Sequence, residues 1–202
     1  DWVSPFGANL YCSIGWTFAA WPARLTALPL AIAVALARVV AEAGLPDVGI
    51  KWPNDLHLGG RKLAGILIET RGEAGGACRV VVGVGLNVAM SAGQATAVSQ
   101  PWISLAEALA AQGKPLPSRN RLAAALVSEL SAALGHFATH GFDPFVAEWK
   151  RRDVLADQSV RVEATPAFEG IARGVDSDGG LIIETATGRQ VVHAGDVSVR
   201  TT

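Results

Sequence analysis

Methionine, tyrosine and cysteine are almost missing from this 202-residue chain, which has one Met, one Tyr and two Cys. Two cysteines, Cys12 and Cys78, cannot build a disulfide framework. Both sit in apolar, strand-like segments and read as buried thiols in a reducing cytoplasm. Charge is scarce as well: 17% of residues are charged, and 17 Lys+Arg stand against 18 Asp+Glu. That balance argues against a broad basic face for nucleic acid, and no block of like charge forms an interaction tail. The longest uncharged apolar run, between Arg24 and Arg38, is too short to span a bilayer and is broken by Pro29. The opening residues lack the pattern of a secretory signal. A chain that opens on Asp1, with Met90 as its one methionine, reads as part of a longer protein.

What is present is half apolar by count, enough for a substantial core in one or two domains. Residues 8 to 18 alternate, which places Leu10, Cys12, Ile14, Trp16 and Phe18 on one face of a strand. An Ala/Leu/Val-rich stretch from Pro29 to about Ala43 predicts a helix stopped by Gly44. Short strands follow over 48–52 and 55–58, then a Gly59-Gly60 turn into Lys62–Thr70, and a further strand over about 78–89. Ser104 and Glu107 form a capping-box pattern opening a helix that ends near Gly113. A long amphipathic helix spans about 119–140 and stops at Gly141. Asp143-Pro144 then reads as N-cap and first helical residue of another. From Gln158 the pattern changes to short alternating runs punctuated by Asp and Gly, a small β unit of about 45 residues. The expected division is therefore 1–156 and 157–202.

Against this apolar background the stretch Lys51-Trp-Pro-Asn-Asp-Leu56 and the following Arg61-Lys-Leu-Ala-Gly-Ile-Leu67 stand out. Lysines at a hairpin are usually solvated. Here Lys51 ends an apolar strand and Lys62 begins one, so each needs an anionic partner such as a carboxylate or phosphate. Asn54 offers an amide, and Asp55 a possible oxygen ligand for magnesium. Gly65, Gly83 and Gly85 interrupt two apolar strands, as expected where a flat ligand lies against backbone. Gly83-Val-Gly85 alone is a weak signal and lacks the third glycine of a dinucleotide fingerprint.

Together these motifs, with Ser4-Pro-Phe-Gly-Ala-Asn-Leu-Tyr11, Gly83-Val-Gly-Leu-Asn87 and Gly195-Asp-Val-Ser-Val-Arg200, resemble the catalytic and C-terminal domains of the biotin protein ligases. The resemblance covers essentially the whole chain. It implies an α+β catalytic domain, with a mixed or antiparallel sheet and helices on one side, followed by a small SH3-like barrel. It implies ATP-dependent conversion of biotin to biotinoyl-5′-AMP and transfer to a lysine of a biotin carboxyl carrier domain. Lys62 and Lys51 take the catalytic positions in that pattern. Biotin would meet Lys62, Tyr11, Gly65, Leu67, Gly83 and Gly85. ATP and the adenylate would meet Trp2, Asn54, Asn87, Trp102 and Arg200, and Asp55 would face magnesium. A homodimer is compatible with the resemblance. Nucleic acid would be a partner only through an upstream winged helix, and no membrane is implied. The family's Gly/Arg-rich loop precedes the tryptophan matching Trp2, so none of its arginines is assigned to a residue here.

Other residues carry plainer readings. His136 and His140 have zinc-pair spacing but no glutamate and no third ligand, so they read as helix-end histidines. Asp176-Ser-Asp178-Gly-Gly reads as a hairpin turn rather than a calcium loop, because Thr187 stands where a glutamate would be needed. Trp149 reads as a packed aromatic with Lys150, Arg151 and Arg152 solvated, and Trp16 and Trp21 as core. Rival functions are a lipoate or octanoate ligase or transferase, and a regulatory module sensing biotinoyl-AMP. Trp102→Ala should weaken nucleotide binding more than biotin binding. Calorimetric titration with each ligand checks it, and equal losses would make Trp102 a core residue only.

Overall fold

Helix α1 (Leu28–Glu42) is apolar over nearly all of its surface, Arg38 and Glu42 apart, and a helix of that kind has to be enclosed by protein. Every residue from Leu30 to Ala37 is at most 1% exposed. Its alanines admit close neighbours on both sides: β-strands below, and α3 (Arg119–His140) and α4 (Asp143–Arg152) above. Length and composition alone would let Leu25–Glu42 pass as a membrane span, and this burial accounts for its apolarity. The computed structural model describes residues 6–72, 76–91, 93, 98–194 and 198–201. Trp2 and the motif residues Ser4, Pro5, Gly195 and Asp196 lie outside them.

The sheet beneath α1 has five strands: β1 (Leu10–Phe18), β2 (Gly49–Lys51), β3 (Asp55–Leu58), β4 (Arg61–Arg71) and β5 (Cys78–Leu86). Their order is β1-β5-β4-β3-β2, and every neighbouring pair is antiparallel. The alternation expected in β1 holds: Leu10, Cys12, Ile14, Trp16 and Phe18 pack toward the core. The Gly59-Gly60 turn closes the β3–β4 hairpin with φ of 56° and 75°, a left-handed pair that suits a two-residue loop. Because the helices cover one face, the other face of β1, β5 and β4 is free of them.

Caps account for the remaining helices. Ser104 Oγ accepts from the Glu107 N–H to open α2 (Leu105–Ala110), and Ser118 Oγ accepts from the Arg121 N–H to open α3. Asp143 is already helical, so Phe142 holds the N-cap position and Pro144 falls one place further in. The five strands β6 (Ser159–Glu163), β7 (Phe168–Val175), β8 (Leu181–Thr185), β9 (Gly188–Val192) and β10 (Ser198–Thr201) form a second sheet. Its order is β10-β6-β7-β8-β9, antiparallel throughout. Val160, Val162, Ala172, Leu181 and Ile183 merge its interior with the main core.

Several tryptophan and arginine expectations need correction. Trp149 is fully buried as expected, with Lys150 and Arg151 exposed. Arg152 is not solvated: it pairs with Glu148 at 3.1 Å and donates to the carbonyls of Pro46 and Val48. Its guanidinium fork satisfies a loop that has no strand partner. Trp21 is 40% exposed and lines a cavity of about 610 Å³ with Leu25, Trp52, Ile68 and His193, rather than filling core. Among the described residues no group of three or more His, Cys, Asp or Glu could hold a metal.

Asp153 stands in the stretch of chain between the two sheets. It lies just after α4, bridges Ile50 through the backbone, and accepts the Leu155 N–H at 2.9 Å through Oδ1. Its Oδ2 is buried with no hydrogen-bond partner. Burial raises its carboxyl to about 6; the Leu155 N–H opposes the rise and the nearby Asp157 charge adds to it. A carboxyl raised in the folded state disfavours folding once it ionises. Stability therefore falls as pH rises from the unfolded value of 3.8 through about 6. Asp153→Asn should raise stability by about 1–2 kcal/mol near neutral pH and remove that decline. Denaturant unfolding at several pH values checks it.

Candidate active site

On the helix-free face, Tyr11 and Ser13 of β1 stand opposite Gly85 and Gly83 of β5, which in turn lie opposite Gly65 and Leu67 of β4. Three glycines in register remove the side chains that would fill this face, leaving a cavity of about 280 Å³. Tyr11, Cys12, Ser13 and Leu67 line it, and Asn54, Asp55 and Lys62 stand at the β3–β4 side. A Cβ on Gly83 would meet nothing nearer than the Leu67 carbonyl oxygen at 3.5 Å. The fold would accept a larger residue there, so the slot and not the packing requires glycine.

Lys62 reaches the slot through a bulge. Residues 62 and 65 are three apart, and in a regular strand they would point to opposite faces. Here Asp55 pairs with Gly65 and His57 with Lys62, and the register shifts between Leu56 and His57. Leu63 is the extra residue and is fully buried. Asp55 and His57 share a face, so their partners Gly65 and Lys62 share it as well. Lys62 Nζ then meets Asp55 Oδ1 at 2.8 Å, with both side chains more than four-fifths buried.

Lys51 completes the cluster opposite Asp55 on β2. Burial is the main influence on its ammonium and lowers its pKa; Asp55 opposes this, and the charges of Lys62 and Arg200 push further down. Arg200 is exposed on β10, so the second sheet contributes to the same field. His57 lies among these groups, held neutral first by burial and then by the Lys51 charge, against Asp55 and the Gly60 carbonyl. Its Nε2 is buried without a hydrogen bond, 4.0 Å from Asp55 Oδ2. The arrangement concentrates positive charge beside a slot with an uncharged glycine floor. It suits an anionic group at one end of a flat molecule.

The two asparagines reach the site through backbone. Asn54 Nδ2 donates to the Ile66 carbonyl at 2.7 Å while the Ile66 N–H donates back to the Asn54 carbonyl. Asn87 Nδ2 donates to the carbonyls of Lys62 and Ile103, both at 3.3 Å. Their amide donors are thus committed to holding β4 and the segment beside it. That segment carries Trp102, which forms a parallel bridge with Lys62 and packs with Val98 against Ala8 and Met90. The structure therefore brings Lys62, Lys51, Asp55, Tyr11, Gly65, Leu67, Gly83 and Gly85 into one place. Asn54, Asn87 and Trp102 frame it, and Arg200 approaches from the second sheet.

Sequence reasoning passed over four residues. Ser13 lines the slot and follows from period two in β1; His57 follows likewise from Asp55. Asn9 is 4% exposed: its Nδ2 donates to Tyr11 Oη at 3.1 Å, and its Oδ1 accepts the Val88 N–H at 3.1 Å. Arg119, at the start of α3, donates to the carbonyls of Gly7 and Asn9, and no sequence pattern marks it. Asn9→Ala should cost about 1–3 kcal/mol by leaving the Val88 N–H buried and unpaired, and Tyr11→Phe far less. Denaturant midpoints of both variants check it.

The Biotin/lipoate A/B protein ligase family profile matches residues 1–87, and that of the Biotin protein ligase C terminal domain matches residues 157–200. The Bifunctional ligase/repressor BirA of Escherichia coli is 40% identical over 200 residues, covering 98% of this chain and 61% of its own length. The Biotin–[acetyl-CoA-carboxylase] ligase of Mycobacterium tuberculosis is 31% identical over 203 residues, covering 97% of this chain and 71% of that protein. The chain thus spans about three-fifths of the length of the BirA relative. The biotin protein ligase of Aquifex aeolicus, solved in complex with biotin and ATP, superposes with a TM-score of 0.80 at 21% identity, over 96% of this chain and 79% of that one.

Proposed function

Since the chain belongs to the biotin protein ligase family, we propose that its slot binds biotin, activates it with ATP and passes it to a lysine of a biotin carboxyl carrier domain. The observation that carries this reading is the bulge that turns Lys62 onto the glycine-floored face, beside Lys51 and within reach of the Arg200 charge. A fused-ring ligand would lie over Gly65, Gly83 and Gly85, with Tyr11 at one edge and its carboxylate at Lys62. Trp102, beside Lys62, would stand on the adenine side, with Asn54 and Asn87 holding the frame, and the resemblance gives Trp2 a nucleotide-binding role as well. Residues 1–156 would then form the catalytic unit and 157–202 the appended β unit, a division supported by the two matched spans.

In the first step a biotin carboxylate oxygen attacks the α-phosphorus of ATP; the new O–P bond forms as the bond to pyrophosphate breaks. Both reactants are anions, so bringing them together costs electrostatic work, and negative charge gathers on the phosphoryl oxygens in the transition state. Lys62 and Lys51 offset that charge from fixed positions in a site where burial strengthens them. In the resting arrangement Asp55 holds the Lys62 ammonium at 2.8 Å and keeps it aimed along the slot. Asp55 places a carboxylate beside Lys62, where it could serve as a ligand to magnesium arriving on the phosphates of ATP, an ion that needs few protein ligands. In the second step the carrier lysine's amine attacks the biotinoyl carbonyl, and AMP leaves.

A lipoate ligase is the second reading, because the profile matched at 1–87 covers lipoate enzymes too. The C-terminal match favours biotin. ATP–pyrophosphate exchange with each acid offered separately decides between them. Biotin should support exchange, and Lys62→Ala should lower it by about a hundredfold or more without loss of fold by circular dichroism. Exchange with lipoate alone would move the protein to the sister activity. An unimpaired Lys62→Ala would remove the role given to that lysine.

A further inference from the structure

Arg200 and Lys51 stand on different sheets, and something has to hold the two sheets in register for both cations to act on one nucleotide. The turn between β7 and β8, Asp176 to Gly180, does so by docking on the first sheet. Trp52, the residue after Lys51, is 2% exposed, and its indole N–H donates to the Gly179 carbonyl at 2.9 Å. Thr26 Oγ1 donates to the Asp178 carbonyl at 2.7 Å, and Arg24 meets the Asp178 carboxylate at 3.3 Å. Asp176 Oδ1 fixes the turn from inside by accepting the N–H groups of Asp178 and Gly180.

Gly179 is where this contact has no slack. Its φ is +81°, and a Cβ there would lie 2.8 Å from Ala27 Cα. Backbone touches backbone, at the entrance to the buried helix α1. The turn therefore has one docked position, set by three hydrogen-bonding or ionic contacts and one steric limit. Trp52 reports that position to Lys51 through a single peptide unit.

We infer that the Trp52–Gly179 contact is a latch that positions Arg200 beside Lys51, so that the second sheet completes the phosphate-binding half of the site. The inference rests on the ligase reading above. Trp52 and Gly179 are positioning residues: they meet no substrate and act through Arg200. The latch gives the tryptophan after Lys51 a role that phenylalanine, smaller and without an N–H, would not fill. It also separates the ligands. The biotin slot is lined from β1, β4 and β5, with Asn54 and Asp55 at its β3 side, and no described residue of the second sheet lines it, so its ligand should not sense where that sheet sits.

The test compares Trp52→Phe, which removes the N–H together with part of the ring system, with Gly179→Ala and Arg200→Ala in the intact gene product. Biotin-dependent ATP–pyrophosphate exchange and calorimetric biotin binding are read for each, and both latch variants are repeated in the Arg200→Ala background. Each latch variant should raise the KM for ATP about fivefold to tenfold and leave biotin affinity unchanged. Neither should add to the effect of Arg200→Ala, because what they position is gone. Losses that add to Arg200→Ala, biotin affinity falling in parallel, or an unchanged KM in Trp52→Phe would each overturn the latch. If Arg200→Ala itself leaves the KM for ATP unchanged, the latch falls with it. Biotin-dependent exchange in the parent protein keeps the ligase reading standing in that case.

Discussion

The whole site depends on one inserted residue. Leu63 occupies a position for which β3 supplies no partner, and the pleat of β4 is advanced by one on either side of it. Before the bulge the strand presents Lys62 to the helix-free face; after it, Gly65 and Leu67. A regular strand would have buried the lysine under α1 or turned the glycine away from the slot. The buried Leu63 side chain holds the bulge in place from the core side. Packing of the apolar layer therefore fixes the geometry of the charged layer above it.

The surrounding structure protects that geometry from several directions. The segment 101–103 hydrogen-bonds to both sides of the Lys62 backbone, with the Lys62 N–H on the Pro101 carbonyl and the Ile103 N–H on the Lys62 carbonyl, both 2.9 Å. Asn87 adds its amide to the same carbonyl, and Asn54 ties the β3 turn to Ile66. Asp55 restrains the ammonium that the bulge delivers. Burial first, and then the neighbouring charges of Lys62 and Arg200, disfavour the Lys51 ammonium, and Asp55 opposes them.

Function and stability pull on different elements of the same sheet. The helix-covered face is continuous Leu, Ile, Val and Ala, and it connects through Val160 and Leu181 to the second sheet. The open face gives up packing for a slot of bare backbone. Gly83 shows the separation: the fold has room for its missing Cβ. Asp153, between the two sheets, is a different compromise, because its carboxylate is buried with one oxygen unpartnered, at the expense of stability near neutral pH.

Periodicity and punctuation determined most of the elements from the sequence. The alternation in β1, the enclosed helix α1, the Gly59-Gly60 turn, the Ser104 cap and the start of the second sheet all rest on local chemistry that a few neighbouring residues express. The motif residues around Lys51 and Lys62 were legible for the same reason: charge beside apolar strands is locally anomalous. Which way Lys62 points was not, since counting by twos from Gly65 puts it on the wrong face. Only pairing with β3 produces the bulge that corrects it. Trp21, Arg152, Asn9 and Arg119 likewise found their partners across long stretches of chain, through hydrogen bonds and cavities that no local window contains. The influence of the Arg200 charge on Lys51 also comes from the tertiary structure, which docks the β7–β8 turn of the second sheet against the entrance of α1.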